Sequence, residues 1–147
     1  MTDYTEHDAV YRIEALLRKV SSTVRKQGRA ILGDVGVTPA QFDALVLASD
    51  GSNLTIGDLS AKLGLAYSTT TDLVDRLERR NLVERSRDQE DRRVVRLCVL
   101  GEGHAVINRV LQARREYLER VLSRSSSSEQ DMLMMALTTL EQHLGDV

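Results

Sequence analysis

The hydrophobic period of this chain changes from helical to alternating at Asn81, and that change restricts what the chain can fold into. Before it, apolar positions recur at helical steps: Leu59 and Leu63, then Thr70, Leu73, Val74 and Leu77. After it they alternate, as in Val95, Leu97 and Val99. A period near 3.6 belongs to helices and a period of about 2 to strands. The first part therefore predicts two short helices. One opens at a capping box of Thr55 and Asp58 and the other covers 67–80, with Gly64-Leu65-Ala66 as the corner between them. The second part predicts a hairpin, 82–85 and 93–99, around Ser86-Arg87-Asp88-Gln89-Glu90-Asp91-Arg92. Asn81 suits the left-handed turn that ends a helix. Two helices at a tight turn followed by a basic hairpin make a winged helix-turn-helix, which sets one helix in the major groove and a wing on the backbone or minor groove.

The net charge of −2 argues by itself against nucleic acid, but the charge is unevenly spread. Arg76, Arg79, Arg80, Arg85, Arg87, Arg92, Arg93 and Arg96 fall within twenty-one residues, with no lysine among them. The planar guanidinium fork suits phosphates and base edges, so a local patch can override an acidic total. Seven acidic residues lie between Asp72 and Asp91, and salt bridges on a solvated face would use the same arginines.

The flanks are helical. A long helix is expected over 6–32, with Val10, Ile13, Leu17, Val20 and Val24 at three- and four-residue steps. Gly33-Asp34-Val35-Gly36 reads as a turn. Thr38-Pro39-Ala40-Gln41 then opens a helix with a capping box and proline at its first position. Phe42, Leu45 and Val46 face inward there, and Phe42 suits the core better than a base-stacking platform. Asp50-Gly51-Ser52-Asn53 ends that helix in a turn, and Leu54-Thr55 adds a very short strand beside the wing. Gly101 and Gly103 are expected to break the strand before a helix over 104–123, and Ser126 with Glu129 to cap a last helix over 129–143. The fold class is mostly α with a small β part (α+β). A winged helix-turn-helix occupies 35–103, and a helical dimerisation region is built from 1–34 and 104–147. Its candidate contacts are Val10, Ile13, Leu17, Leu118, Val121, Leu133, Leu137 and Leu140. Stripes this long exceed what a small winged domain can cover, so a homodimer is expected; the alternative is packing of the first helix against the C-terminal helices within one chain, and the two arrangements are compatible along different lengths.

At this point the chain resembles the MarR family of bacterial transcriptional regulators, along essentially its whole length. The strongest local match is Asp88-Gln89-Glu90-Asp91-Arg92-Arg93 in the wing, preceded by Leu73-Val74-Asp75-Arg76-Leu77-Glu78-Arg79-Arg80-Asn81-Leu82-Val83-Glu84-Arg85. The resemblance implies interleaved terminal helices, a wing arginine (Arg92 or Arg93) in the minor groove, and Asp91 orienting the wing through an arginine partner. It also implies release of DNA by a small aromatic or anionic effector. That effector would bind between pedestal and winged module around Tyr11, Ile13, Leu17, Phe42 and Val46, with Arg12 or Arg18 for an acidic group. An ordinary hydrophobic core would use the same residues. Ala66 stands where the family commonly has a capping serine, Asn81 replaces a glycine, and Gly101-Glu102-Gly103 replaces a threonine-led helix start. A missing threonine cap weakens a helix start by about 1 kcal/mol.

For base readout the recognition helix offers Ser68, Thr69, Thr70, Asp72 and Arg76, with Tyr67 as a phosphate donor and Arg87 beside Arg92 and Arg93 in the wing. The alternative is that Ser68 caps the helix in place of Ala66, that Arg76 pairs only with Asp72 or Asp75, and that Thr70 is partly buried. Cys98, the single cysteine, alternates with strand residues and has no neighbour that demands a thiolate; a redox-sensing regulator built on it is the lesser alternative. His7, His104 and His143 show no ligand spacing, so no metal or cofactor is expected. No nucleotide-loop or hydrolase motif is present, so an enzyme is not expected. A winged helix that binds only protein is the remaining alternative. The opening MTDYTEHDAV and the absence of a long apolar run predict a cytoplasmic protein without a membrane span.

Overall fold

The computed structural model describes residues 3–51 and 53–145. Residues 1, 2, 146 and 147, at the ends of the two expected dimerisation segments, and Ser52 of the expected turn lie outside the described residues. The elements run α1 Asp3–Gln27, α2 Arg29–Val35, α3 Pro39–Ser49, α4 Ile56–Leu63, α5 Tyr67–Arg79, β1 Val83–Arg87, β2 Val95–Val99, α6 Gly101–Leu122 and α7 Ser127–Leu144. This is the expected mostly helical fold with a hairpin wing.

Three capping boxes form where the sequence places them: Thr38 with Gln41, Thr55 with Asp58, and Ser126 with Glu129. Each satisfies backbone N–H groups that a helix start leaves without partners. Asn81 takes the left-handed conformation at φ 56°, as its position after α5 requires. The strands pair antiparallel from Val83 opposite Val99 to Arg87 opposite Val95. Leu54–Thr55 contributes a single bridge from Thr55 to Arg96, with the Leu97 amide donating to Leu54 O at 2.9 Å.

Three expected boundaries near glycines are corrected, two of them because a glycine serves a close contact. The first helix does not run unbroken to residue 32, because it stops at Gln27 and restarts at Arg29. A Cβ on Gly28 would lie 2.7 Å from Val110 Cγ1, so glycine marks the close crossing of this segment over α6. Gly33-Asp34-Val35 is helix, with Gly36 alone forming the left-handed end. Gly101 and Gly103 do not precede α6 but form its first turn. A Cβ on Gly103 would sit 2.2 Å from Leu82 O, so only glycine lets the helix start against the turn after α5. The expected domain borders at 34/35 and 103/104 therefore fall inside the last turn of α2 and the first turn of α6.

One core joins the centre. Phe42, Ala44 and Leu45 of α3 meet Leu59, Val74, Leu77, Val83 and Leu97, and Val106, Ile107 and Val110 of α6 close it from the other side. The terminal helices contribute almost nothing to it. No residue of the eighteen-residue α7 is buried. Val10, Ile13, Leu17, Val121, Leu133 and Leu137 are exposed, and Leu118 and Leu140 are half-buried. The intramolecular alternative holds in part, since α1 packs against the C-terminal helix α6, yet the apolar stripes of α1 and α7 remain uncovered. No helix among the described residues is long and apolar enough to cross a membrane.

Candidate nucleic-acid interface

The recognition helix α5 sorts its residues by face. Thr70, Leu73, Val74 and Leu77 are buried, and Tyr67, Ser68, Thr69, Asp72 and Arg76 are exposed. Thr70 was expected among the base readers, and this is corrected: it is 0% exposed and its hydroxyl donates to Ala66 O at 3.0 Å. The signal was present in the sequence, since Thr70 lies three, four and seven residues before Leu73, Val74 and Leu77 on one helical stripe. Ala66 is the N-cap and no side chain caps it, so Ser68 does not take the capping role weighed for it. Its hydroxyl stays on the exposed face.

The eight arginines divide into two groups. Arg85 donates to Asp75 and Glu78, tying β1 to α5. Arg96 donates to Asp88 and to Asn53 O, each at 2.6 Å, and so fixes the root of the wing. Arg80 donates to the carbonyls of Val35 and Gly36. Arg76, Arg79, Arg87, Arg92 and Arg93 are exposed and make no ion pair among the described residues. Arg76 pairs with neither Asp72 nor Asp75, and the latter is taken by Arg85.

The wing is ordered by Asp88, not by an arginine partner of Asp91. Asp88 accepts from Arg96 and from the amides of Glu90 and Asp91. The Arg96 hydrogen bond, then these two amides, hold its carboxyl down from 3.8 to about 2. Asp91 instead accepts from the Arg93 amide at 2.9 Å, shaping the turn that presents Arg92 and Arg93. Arg87 ends β1 rather than lying in the loop, and the loop is displaced by two residues, since β2 begins at Val95 and not at the expected Arg93. Beside α5, a cleft of about 240 Å³ is lined by Thr38, Gln41, Thr69, Asp72, Leu73 and Arg76. The start of α3 thus borders the exposed recognition face, a neighbour that sequence reasoning missed because the contact is made by folding alone.

The expected effector residues are not brought together in one chain. Tyr11, Ile13 and Leu17 are exposed on α1, beside a shallow hollow that also includes Val10 and Arg18, and Arg18 pairs with Glu14 at 2.8 Å. Arg12 is exposed on the same helix. Phe42 is 1% exposed and, with Val46, borders a different hollow of about 350 Å³ that also has Arg25, Lys62 and Arg114 in its wall. The Arg114 guanidinium lies 5.1 Å from the centre of the Phe42 ring. Burial and the nearby Arg25 charge lower its pKa, and its buried Nε has no hydrogen-bond partner among the described residues. No group of three or more His, Cys, Asp or Glu among the described residues has metal-site geometry. Cys98 is partly buried in β2 with a free thiol.

Residues 37–95 match the model of the MarR family. The uncharacterized HTH-type transcriptional regulator YsmB of Bacillus subtilis (strain 168) is 39% identical over 132 residues, 90% of either chain. The HTH-type transcriptional repressor MdtR of the same organism is 29% identical over 137 residues, 93% of this chain and 84% of MdtR. A solved MarR family protein from Bacillus stearothermophilus superposes with a TM-score of 0.83 and 40% identity, covering 95% of this chain and 97% of that one. A reading helix with one free polar face, a wing turned around Asp88 and the likeness along nearly the whole length agree, and the chain belongs to the MarR family of winged helix-turn-helix, DNA-binding transcriptional regulators.

Proposed function

We propose that this protein represses transcription as a homodimer bound to an inverted-repeat operator in double-stranded DNA, and that a small aromatic or anionic effector releases it. The observation that carries the DNA contacts is the division of the arginines. Those that hold the fold are paired, whereas Arg76 on α5 and Arg87, Arg92 and Arg93 on the wing are exposed and make no ion pair among the described residues, and Ser68, Thr69 and Asp72 are exposed on α5 as well. Short hydroxyls at the start of α5 allow close approach to base edges, and Arg76 reaches a guanine edge about two turns later. Tyr67 donates to a phosphate, while the wing arginines supply contacts that are mostly indifferent to sequence. The exposed apolar faces of α1 and α7 support pairing of two copies. Repression is supported by the likeness to MdtR. For the effector, the hollow beside Phe42 is the better-suited place, since Arg25 and Arg114 offer charge next to an aromatic wall.

The test is selection from a random-sequence duplex library at graded salt. The proposal expects an inverted repeat whose half-site centres lie about 34–36 Å apart or a multiple of that. Enrichment of no sequence at any salt, with the protein folded, would leave an interaction module in place of a DNA regulator. Titration of the selected complex with salicylate-like and other aromatic acids, followed by DNA release, tests the effector.

A further inference from the structure

Arg80 belongs by sequence to the basic run that enters the wing, but its guanidinium is not spent like those of Arg76 and Arg79. It caps the C-terminal end of α5, and its two terminal nitrogens donate to the carbonyls of Val35 and Gly36. These are the last carbonyls of α2, whose end is turned by Gly36 at φ 62°. Helix ends leave such carbonyls without intrahelical partners and carry partial negative charge, so a planar fork with two donors fits both. The segment α2 follows directly on α1 and packs against α6. The helix α5 itself packs on α3, α4 and β1. Among the described residues, no other side-chain hydrogen bond or ion pair joins α5 or its cap to α1, α2, α6 or α7.

We propose that Arg80 is a positioning residue for operator reading: it clamps the end of the recognition helix to the end of α2 and so sets where α5 stands relative to the helices that join the two copies. This rests on the homodimeric DNA reader proposed above. In such a dimer the clamp fixes the separation of two reading helices, which is the quantity a fixed half-site spacing tests. The contact is exposed, so its loss leaves the core intact. A lysine retains the charge and the stem but presents a single ammonium instead of a fork, so charge alone does not restore the clamp.

The test uses the full-length chain as wild type, Arg80→Lys and Arg80→Gln. The probes are a duplex selected by the wild type from a random-sequence library and the same duplex with one base pair inserted between its half-sites. Both variants should stay dimeric and keep the wild-type salt slope, while the preference for the selected spacing falls by roughly two- to thirtyfold. If Arg80 instead contacts a phosphate, both duplexes weaken equally, the slope of log affinity against log salt becomes shallower by about 0.9, and lysine restores most of the binding. That pattern overturns the proposal, and so does an unchanged spacing preference in both variants. Should the glutamine variant fail to fold, Arg80→Lys decides alone, because it retains the stem and the charge. Failure of the wild type to select any duplex would overturn the DNA reading itself, and it is seen before any variant is compared.

Discussion

Leu45 in α3 and Leu137 in α7 are the same side chain in the same kind of element, yet one is fully covered and the other is 50% exposed. Around Leu45 the chain has completed its burial: α3, α4, α5, the hairpin and the first half of α6 close on one another. Around Leu137 nothing closes, and Met132, Leu133 and Met135 share its exposure. Full burial of a leucine contributes about 1.5–3 kcal/mol, so the terminal helices hold back stabilisation that the centre has already realised. The polar groups divide in the same way. In the centre Arg80, Arg85 and Arg96 are tied to named acceptors, and the arginines left over, on α5 and the wing, are exposed. The difference teaches that the centre completes its burial within one chain, whereas α1 and α7 leave apolar faces uncovered, as the proposed pairing of two copies requires.

The strongest way to break this comparison is to charge the uncovered face. Leu133→Glu with Leu137→Glu should abolish self-association, since a permanent pair of this kind buries well over ~2,000 Å² and tolerates no unpaired charge at its centre. Sedimentation should show a monomer that retains helical circular dichroism; a dimer unaffected by both charges would place the interface elsewhere. Next in size is a cavity in the centre. Leu45→Ala should cost about 2–5 kcal/mol in denaturant unfolding. A loss below 1 kcal/mol would mean the centre is less tightly packed than its burial indicates.

Two further substitutions separate the DNA-facing groups. Arg76→Ala should cost about 1–3 kcal/mol on the selected operator and little on scrambled duplex. Arg92→Ala and Arg93→Ala should weaken both duplexes alike, each flattening the salt slope by about 0.9 where the side chain meets phosphate. Equal losses on cognate and scrambled DNA for Arg76→Ala would move that residue to the backbone-contacting group.

The smallest effect concerns the root of the wing. Asp88 is held at about 2, below its ordinary 3.8, so the stability it contributes is present above 3.8 and is lost as pH falls through about 2. Amide exchange at Glu90 and Asp91 in the wing loop should therefore quicken across that window relative to β2. In Asp88→Asn the pH dependence at these two amides should vanish, and its persistence there would assign it to another carboxylate.

How much of this was legible in the sequence depended on the kind of interaction. Caps and periods are local, so the three capping boxes, Asn81 and the switch from helix to hairpin stood in the chain at short spacing. Glycines that serve a distant contact were misread, because Gly28 exists for Val110 and Gly103 for Leu82, and no local pattern reveals either. The arginine run was legible as a cluster but not as a division of labour. Whether Arg85 meets Asp75 or a phosphate is settled by where β1 lies on α5. Asp88 and Asp91 were exchanged for the same reason, since both flank the turn and only its folded geometry aims Asp88 at Arg96. The effector residues are not gathered within one chain, since Ile13 and Leu17 border one hollow and Phe42 and Val46 another.

The claim on which the rest depends is that the uncovered faces of α1 and α7 join two copies into one reader. Sedimentation equilibrium at low micromolar concentration, without DNA and then with the selected duplex, tests it most directly. The account predicts twice the chain mass without DNA and two chains on each inverted repeat. A folded monomer at that concentration, binding one chain per duplex, would contradict it.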